Sequence, residues 1–451
     1  MNGSERLIME LISDADFLWR IYDAYIHSEG IAIDTRSLRP GQIFWALQGR
    51  RHGNEFVADA LEKGAAFCVT SDPRWEGHPQ CAVVSDTLHA LHQLAAHHRR
   101  QWHFPVIAIT GSNGKTTTKE LLAAVLCRRY RVLVSPGNYN NHIGLPLSIL
   151  QRRPDQPQIA ILELGINHTD EMPPLLDIAR PTHGILTNIG RDHMGEFGGI
   201  EGIHQAYAPF IHYFRHRRWP LLWNWDDPAS HQLMNGEKKP QERTISLYDP
   251  AADLLARIQQ EIPTLVIHIE KSPLPTRFNV RSHLFGKHHA YNIAMATLGG
   301  IVFHIAPVDI QQAIEQAEPA DNRGRIVQTA RGNAVIMDAY NANPDSMAYA
   351  LHAFAQWPGR RIVILGDMEE LGPYAPDEHQ KIIYQLEDGH WESVFLVGKH
   401  FQRLCCHHPR WQAFSSTAEL KEHLRRHPIH DAHILLKGSR AQQLETLIDV
   451  L

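Results

Sequence analysis

The sequence predicts an α/β protein of three domains, with parallel sheets and a phosphate-binding turn in the middle one. Three observations carry this reading. Short apolar runs recur between helix-like stretches, in two separate series along the chain. A strand, a glycine-punctuated turn and a helix pattern follow one another in "VIAITGSNGKTTTKELL", residues 106–122. And 451 residues are too many for one ordinary core.

Residues 1–103 form the first unit, where "GQIFWAL" reads as a strand and "NEFVADALEKGA" as a helix. The second, 104–319, carries strand-like runs at 106–110, 131–135, 159–165, 183–190 and 219–223. After the polar, proline-bearing stretch "EQAEPADNRGR", the third, 320–451, repeats the pattern at 333–339, 361–367, 393–398 and 433–438. Fully apolar strands spaced by helices call for parallel sheets covered on both faces. Neither solenoid-period repeats nor low-complexity tracts interrupt this order.

Composition narrows the partners. Lys plus Arg number 44 against 49 Asp plus Glu, a net charge of -5, so there is no global basic field for nucleic acid. No stretch reaches the roughly 18 apolar residues of a spanning helix, and the opening "MNGSERLIMELISDADFLWRIYDAYI" lacks a signal-peptide layout. A cytoplasmic protein without membrane insertion is expected. Five cysteines are no disulfide framework. The adjacent Cys405, Cys406, His407 and His408 lack both the usual loop between zinc ligands and a second pair, so a structural or surface role is expected.

The turn after 110 carries the chemistry. Backbone amides of such a loop point at phosphates, a lysine adds a point charge and a hydroxyl holds magnesium. Gly111, Ser112, Asn113, Gly114, Lys115, Thr116 and Thr117 supply these parts, although Ile109 stands where the strict motif begins with glycine. A lysine–phosphate pair at about 4 Å in an effective dielectric near 20 is worth on the order of 4 kcal/mol. Ligands of open α/β sheets sit at strand ends, which makes Glu163 in "LELG" and His193 in "GRDHMGEFGG" the metal candidates.

Together these pieces resemble the Mur ligase family, ATP-dependent enzymes of bacterial peptidoglycan synthesis. "TGSNGKTTTKE" is similar to its nucleotide loop, "GNYNNHIGLPLSIL" to its substrate-facing segment, and "LELG" with "RDHMGEFG" to its magnesium-binding strand ends. "FGKHHAYNIAMA" resembles the adenine-contacting pattern through Gly286, His288 and Asn292, with His289 where asparagine is usual. "IMDAYNANPDSM", "ILGDMEELG" and "LLKGSR" resemble the branch that joins D-Ala-D-Ala to a UDP-N-acetylmuramoyl-tripeptide.

The resemblance implies a UDP-substrate-binding N-terminal domain, a central P-loop ATP-binding domain and a C-terminal Rossmann-like ligase domain, with ATP and Mg2+ as cofactors and a monomer as the working form. It implies Lys115 on the β/γ-phosphates, Thr116 on the first magnesium, Glu163 on a metal and His193 on the second magnesium. His288 and Asn292 would line the adenine pocket. Asp338, Tyr340, Asn341 and Asn343 would close over ATP, with Arg323 or Arg325 at the hinge side. Asp34, Thr35 and Arg36 with Asn138, Asn141 and His142 would hold the UDP-sugar and peptide, a plain structural turn being the alternative for the first three. Asp367, Lys437, Ser439 and Arg440 would reach the dipeptide or the phosphates.

One position departs from the family. A lysine that becomes carbamylated is usual about fourteen residues after the magnesium histidine, within A-K-x-E-I. Here Tyr207 holds its place and Pro209 that of the glutamate, and no lysine occurs between Lys119 and Lys238. A neutral phenol, with a pKa of about 10, does not replace an anion beside a dication. Three readings stay open: a rebuilt metal site, a paralogue joining another acid and amine, or a nucleotide- and UDP-sugar-binding protein without catalysis.

Overall fold

The computed structural model describes residues 18–49, 51–151, 155–262, 264–318, 323–404 and 411–451. Cys405, Cys406, His407 and His408 lie outside the described residues. Two compact units divide the chain: Met1–Val106 with Leu133–Leu164 and Pro173–Pro181, and Ile107–Val132 with Gly165–Met172 and Thr182–Leu451.

In the first unit the mixed signals before 103 resolve into four short parallel strands, Ile31–Ala32, Ile43–Trp45, Phe67–Thr70 and Cys81–Val83, paired in chain order. Their core holds Phe44, Ala46, Val57, Ala60, Ala65, Cys68 and Cys81. The helix expected in "NEFVADALEKGA" is a 3-10 turn, Gly53–Phe56, followed by Val57–Glu62. Helix Thr87–Arg100 starts where the Asp86 carboxylate accepts from the Leu88 and His89 amides. It buries Ala90, Leu91, Leu94 and Ala95 at helical spacing. The strand Ile159–Glu163, buried at all five positions, ends on Glu163.

The second unit contains two sheets. In one, Val106–Thr110, His183–Leu186, Leu221–Asn224, Glu242–Ser246 and Leu254–Gln260 run parallel. Leu265–Lys271 and Phe278–Ser282 then extend it antiparallel, a correction to the wholly parallel sheet expected. Their sequences alternate, as Phe278–Ser282 shows with Phe278, Val280 and Ser282 buried and the residues between exposed. One face of this edge meets water, which antiparallel pairing tolerates.

The other sheet has the order Arg325–Gln328, Ala334–Asp338, His433–Lys437, Arg361–Gly366, Ser393–Val397, Trp411–Phe414. Only its first pair is antiparallel. Alternate residues feed two cores: Ile336, Val363, Leu365, Leu396 and Leu435 one, Val335, Ile362, Ile364, Val397 and Leu436 the other. Successive strands Ala334–Asp338 and Arg361–Gly366 are separated by His433–Lys437, so the order reverses there. Ligands of such sheets bind where strand order reverses, outside the carboxyl ends. Among the described residues no helix is long and apolar enough to cross a membrane.

Candidate active site

The phosphate turn is held from below by the segment that follows strand His183–Leu186. Ser112 N donates to Asn188 O at 2.9 Å, Asn113 N to Asn188 Oδ1 at 2.9 Å, and Gly190 N to Ser112 Oγ at 2.8 Å. Thr187 Oγ1 donates to Asn113 O at 2.7 Å. Gly114 precedes helix Lys115–Leu126 at φ +78, and a Cβ there would overlap Asn292 Oδ1. Glycine alone meets both demands. Asn292 in turn accepts from Thr118 Oγ1 at 3.3 Å and lies 3.0 Å from His289 Nδ1.

Lys115 curls back on its own loop, donating to Gly111 O and, at 3.0 Å, to Ser112 O. Those carbonyls satisfy an ammonium that a polyphosphate would otherwise meet. Thr116 and Thr117 follow on the first turn of the helix, 4% and 8% exposed.

Tyr207 lies in helix Ile200–Arg217, is 1% exposed and shares a hydrogen bond with Ser112. Burial, and next the Asp192 carboxylate, push its phenol well above the usual range, so it is neutral at any physiological pH. Asp192 is 3% exposed, and its Oδ1 has no hydrogen-bond partner. His193 follows at φ +49 with its Nδ1 2.7 Å from Glu370 Oε2. Burial alone would lower the His193 imidazole; the Glu370 carboxylate, with Asp192, raises it above its ordinary value.

Residues of the last sheet face this loop. Asn343 caps helix Pro344–Phe354 through Ser346 and gives its Nδ2 to Asn113 Oδ1 at 2.9 Å. Arg191 reaches Asp345 at 2.7 Å and Glu378 at 3.2 Å. Lys437, 2% exposed, pairs with Asp338 at 2.6 Å, and both stand at carboxyl ends of strands. Its Nζ lies 3.5 Å from Asn341 O. Arg323 lays its guanidinium 3.6 Å over the Tyr340 ring, whereas Arg325 stands exposed on the edge strand. His288 is half-buried, stacked 5.9 Å from Tyr349, and its buried Nδ1 has no partner. Burial drives its pKa down to about 3.

Other predicted residues are engaged elsewhere. Both Asp367 oxygens accept helix-start amides, from His400 at 2.9 Å and Phe401 at 3.0 Å. Ser439 is 2% exposed with an unpartnered Oγ, and exposed Arg440 pairs with Glu445 at 2.8 Å. In the first unit, Glu163 Oε1 accepts from Asn140 at 2.8 Å. Asn141 Oδ1 takes the amides of Ile143 and Gly144, and His142 O accepts from His92 at 2.6 Å. Asn138 is exposed, its carbonyl 2.7 Å from Asn140 N. Asp34 grips Arg36 and the Arg36 amide, which holds its carboxyl down at about 2; Thr35 O accepts from Lys63 at 3.2 Å.

Sequence reasoning passed over Asn188, Arg191, Asp192, Asp345 and Glu370. Arg191, Asp192, Asp345 and Glu370 lie inside the motifs named above, but the partners Arg191 and Asp345 are 154 residues apart in the chain. Among the described residues no three His, Cys, Asp or Glu side chains are placed to hold a metal by themselves. Magnesium does not require such a cage, because it commonly keeps water and substrate phosphate oxygens beside one or two protein ligands. The buried, unpartnered Asp192 Oδ1 beside His193 and the hydroxyl of Thr116 at the helix start fit that kind of site.

The descriptions Mur ligase middle domain and Mur ligase, glutamate ligase domain match residues 109–299 and 322–440. The UDP-N-acetylmuramoyl-tripeptide–D-alanyl-D-alanine ligase of Bacillus subtilis is 32% identical over 442 residues, 93% of this chain and 92% of the relative. The chain belongs to the Mur ligase family. A crystal structure of MurF from Acinetobacter baumannii is 31% identical, with a TM-score of 0.83 over 93% of this chain and 92% of the other. Another Mur ligase, MurF of Thermotoga maritima in complex with ADP, shares the fold at 22% identity and a TM-score of 0.80, covering 94% and 97%.

Proposed function

We propose that this Mur ligase joins D-Ala-D-Ala to a UDP-N-acetylmuramoyl-tripeptide at the expense of ATP, in the synthesis of peptidoglycan precursors. The relatives that carry this activity in their names align along nearly the whole chain. The observation that carries the reading locally is the loop Gly111–Thr117, held by Asn188 below and by Asn343, the cap of helix Pro344–Phe354.

The tripeptide's terminal carboxylate attacks the γ-phosphorus of ATP, giving an acyl phosphate and ADP. The dipeptide amine then adds to the acyl carbon, and the tetrahedral intermediate expels phosphate as the amine loses its proton. Positioning and charge neutralisation govern such steps. Lys115 leaves its two carbonyls for the β/γ-phosphates, an exchange of weak acceptors for a polyanion. Thr116, Glu163 and His193 are the residues that would hold Mg2+, which supplies charge neutralisation on the transferring phosphate. His288 and Asn292 line the adenine side; the unpartnered Nδ1 of His288 supports this. Of the two arginines, Arg323 is the ATP contact, supported by its packing on Tyr340. Asp338, Tyr340, Asn341 and Asn343 close over the nucleotide.

Asp34, Thr35, Arg36, Asn138, Asn141 and His142 take the UDP-sugar and peptide. Asp367, Lys437, Ser439 and Arg440 take the dipeptide or phosphates, although the Asp367 carboxylate is already engaged by the His400 and Phe401 amides. Domain boundaries near 104 and 320, a monomer and a cytoplasmic location complete the reading. The family matches start at 109 and 322, which supports the boundaries.

A second reading, nucleotide binding without ligation, draws on Tyr207. Mixing the chain with the UDP-tripeptide, D-Ala-D-Ala, ATP and Mg2+ decides between them. ADP formation that depends on both acceptor and donor is expected; none at any magnesium concentration removes the ligase reading. Varying the amine in the same assay exposes a paralogue with another substrate.

A further inference from the structure

The sequence lacks the carbamylated lysine, and the phenol that replaces it carries no charge. Another anion nonetheless reaches the metal candidate. Glu370 Oε2 lies 2.7 Å from His193 Nδ1, delivered by the turn after strand Arg361–Gly366. The contact is built into the backbone on both sides. His193 stands at φ +49 and Glu370 at φ +64, a region that glycine enters freely and other residues seldom enter. Gly195 N donates to Glu370 O at 3.1 Å. A Cβ on Gly195 would lie 2.7 Å from Gly372 N, so the two segments touch main chain to main chain. Two non-glycine residues held there opposite each other, with a glycine contact beside them, mark a pairing fixed by its surroundings.

A carboxylate on one ring nitrogen fixes the tautomer of a histidine and makes the other nitrogen a better ligand. We propose that Glu370 is the positioning residue for His193. Its carboxylate sits at ion-pair distance from Nδ1, leaves Nε2 for the cation, and so makes metal binding depend on the last sheet being seated on the loop. In this chain it takes over the anionic support that Tyr207 does not give. The inference rests on the proposed ligase reading for the cation's purpose, but its test does not need turnover.

The full chain is titrated with Mn2+ in the presence of ADP, and free Mn2+ is followed by electron paramagnetic resonance. Glu370→Gln should weaken Mn2+ by about ten- to a hundredfold. ADP binding without metal should not change. His193→Ala should weaken Mn2+ as well, and adding Glu370→Gln to it should cause no further loss. Should Glu370→Gln fail to fold, Glu370→Asp, one methylene short of the ring, carries the same expectation. Mn2+ bound as tightly as in the parent chain, or more tightly because Glu370 had been competing with the cation, overturns the proposal. Losses that add in the double variant overturn it too, as does a parent chain that binds no Mn2+ with ADP. A parent chain that forms ADP with both substrates while Glu370→Gln leaves Mn2+ affinity intact sinks this inference alone. The coupling without any ADP formation sinks the ligase reading alone.

Discussion

Acidification from about pH 7.5 to about pH 5 should cost this chain stability through histidines that folding keeps neutral, His183 and His288 among them. His183 opens the strand His183–Leu186 with its ring 5.0 Å from Phe303, and burial lowers its pKa from 6.5 to about 4. His288, stacked between the rings of His289 and Tyr349, falls to about 3, first from burial and then from the Lys437 charge. Between the unfolded value and these folded values the unfolded chain binds more protons, so stability falls as pH falls. Linkage gives about 2 kcal/mol for each ring at pH 5, out of the roughly 5–15 kcal/mol a folded chain has to lose. His193 acts in the opposite sense, since a raised imidazole adds stability that is present at low pH and is lost as pH rises through its folded pKa. The wild-type total is therefore less informative than the variants. Urea unfolding of His183→Leu and His288→Gln at the two pH values should show each change reducing the acid-induced loss by about 2 kcal/mol. A pH dependence unaltered by both would refute the claim that these rings stay neutral in the fold.

Gly114→Ala forces a side chain into a left-handed position at a cost of about 1–2 kcal/mol and displaces Asn292; calorimetry should show a lower melting temperature and weakened ADP binding. Asn343→Ala removes both a helix cap worth about 1 kcal/mol and the 2.9 Å bond to Asn113. It should raise KM for ATP more than it lowers thermal stability. Tyr207→Lys, assayed in bicarbonate, should not raise ADP formation and should lower the melting temperature, because an ammonium would replace a neutral, fully enclosed phenol. A large gain in rate would mean that the site waits for the missing anion.

How far the chain could be read in advance follows from the range of the forces involved. Apolar runs such as "RIVILG" and "HILLK" feed two cores at once through alternate residues, and a run buried on both faces announces a parallel strand without knowledge of its neighbours. The edge strands Leu254–Gln260, Leu265–Lys271 and Phe278–Ser282 were not legible in this way. Their half-polar alternation is weak in so short a span, and only the partner strand turns it into a sheet. The phosphate turn was legible because all its parts lie within seven residues. The Arg191–Asp345–Glu378 and His193–Glu370 contacts were not, since each is made by segments more than 150 residues apart that only the finished fold brings together.

That distinction bears on Tyr207. In the sequence it is a missing charge, because the motif is local and its central residue is wrong. In the fold, the phenol fills its space at 1% exposure, holds Ser112 of the phosphate turn and feels the Asp192 carboxylate, so a protonated ring is the form the pocket demands. Negative charge near the site is not scarce: Asp192 is buried with an oxygen to spare, and Glu370 stands on His193. A lysine that must first be carbamylated and a fixed pair of carboxylates are two ways to set the same potential around a dication. The second needs no bicarbonate, but it requires that the segment carrying Glu370 be in place. On the proposal that Glu370 supports His193, the absence of an anion at Tyr207 places control of the metal on a contact between segments distant in the chain rather than on a modification.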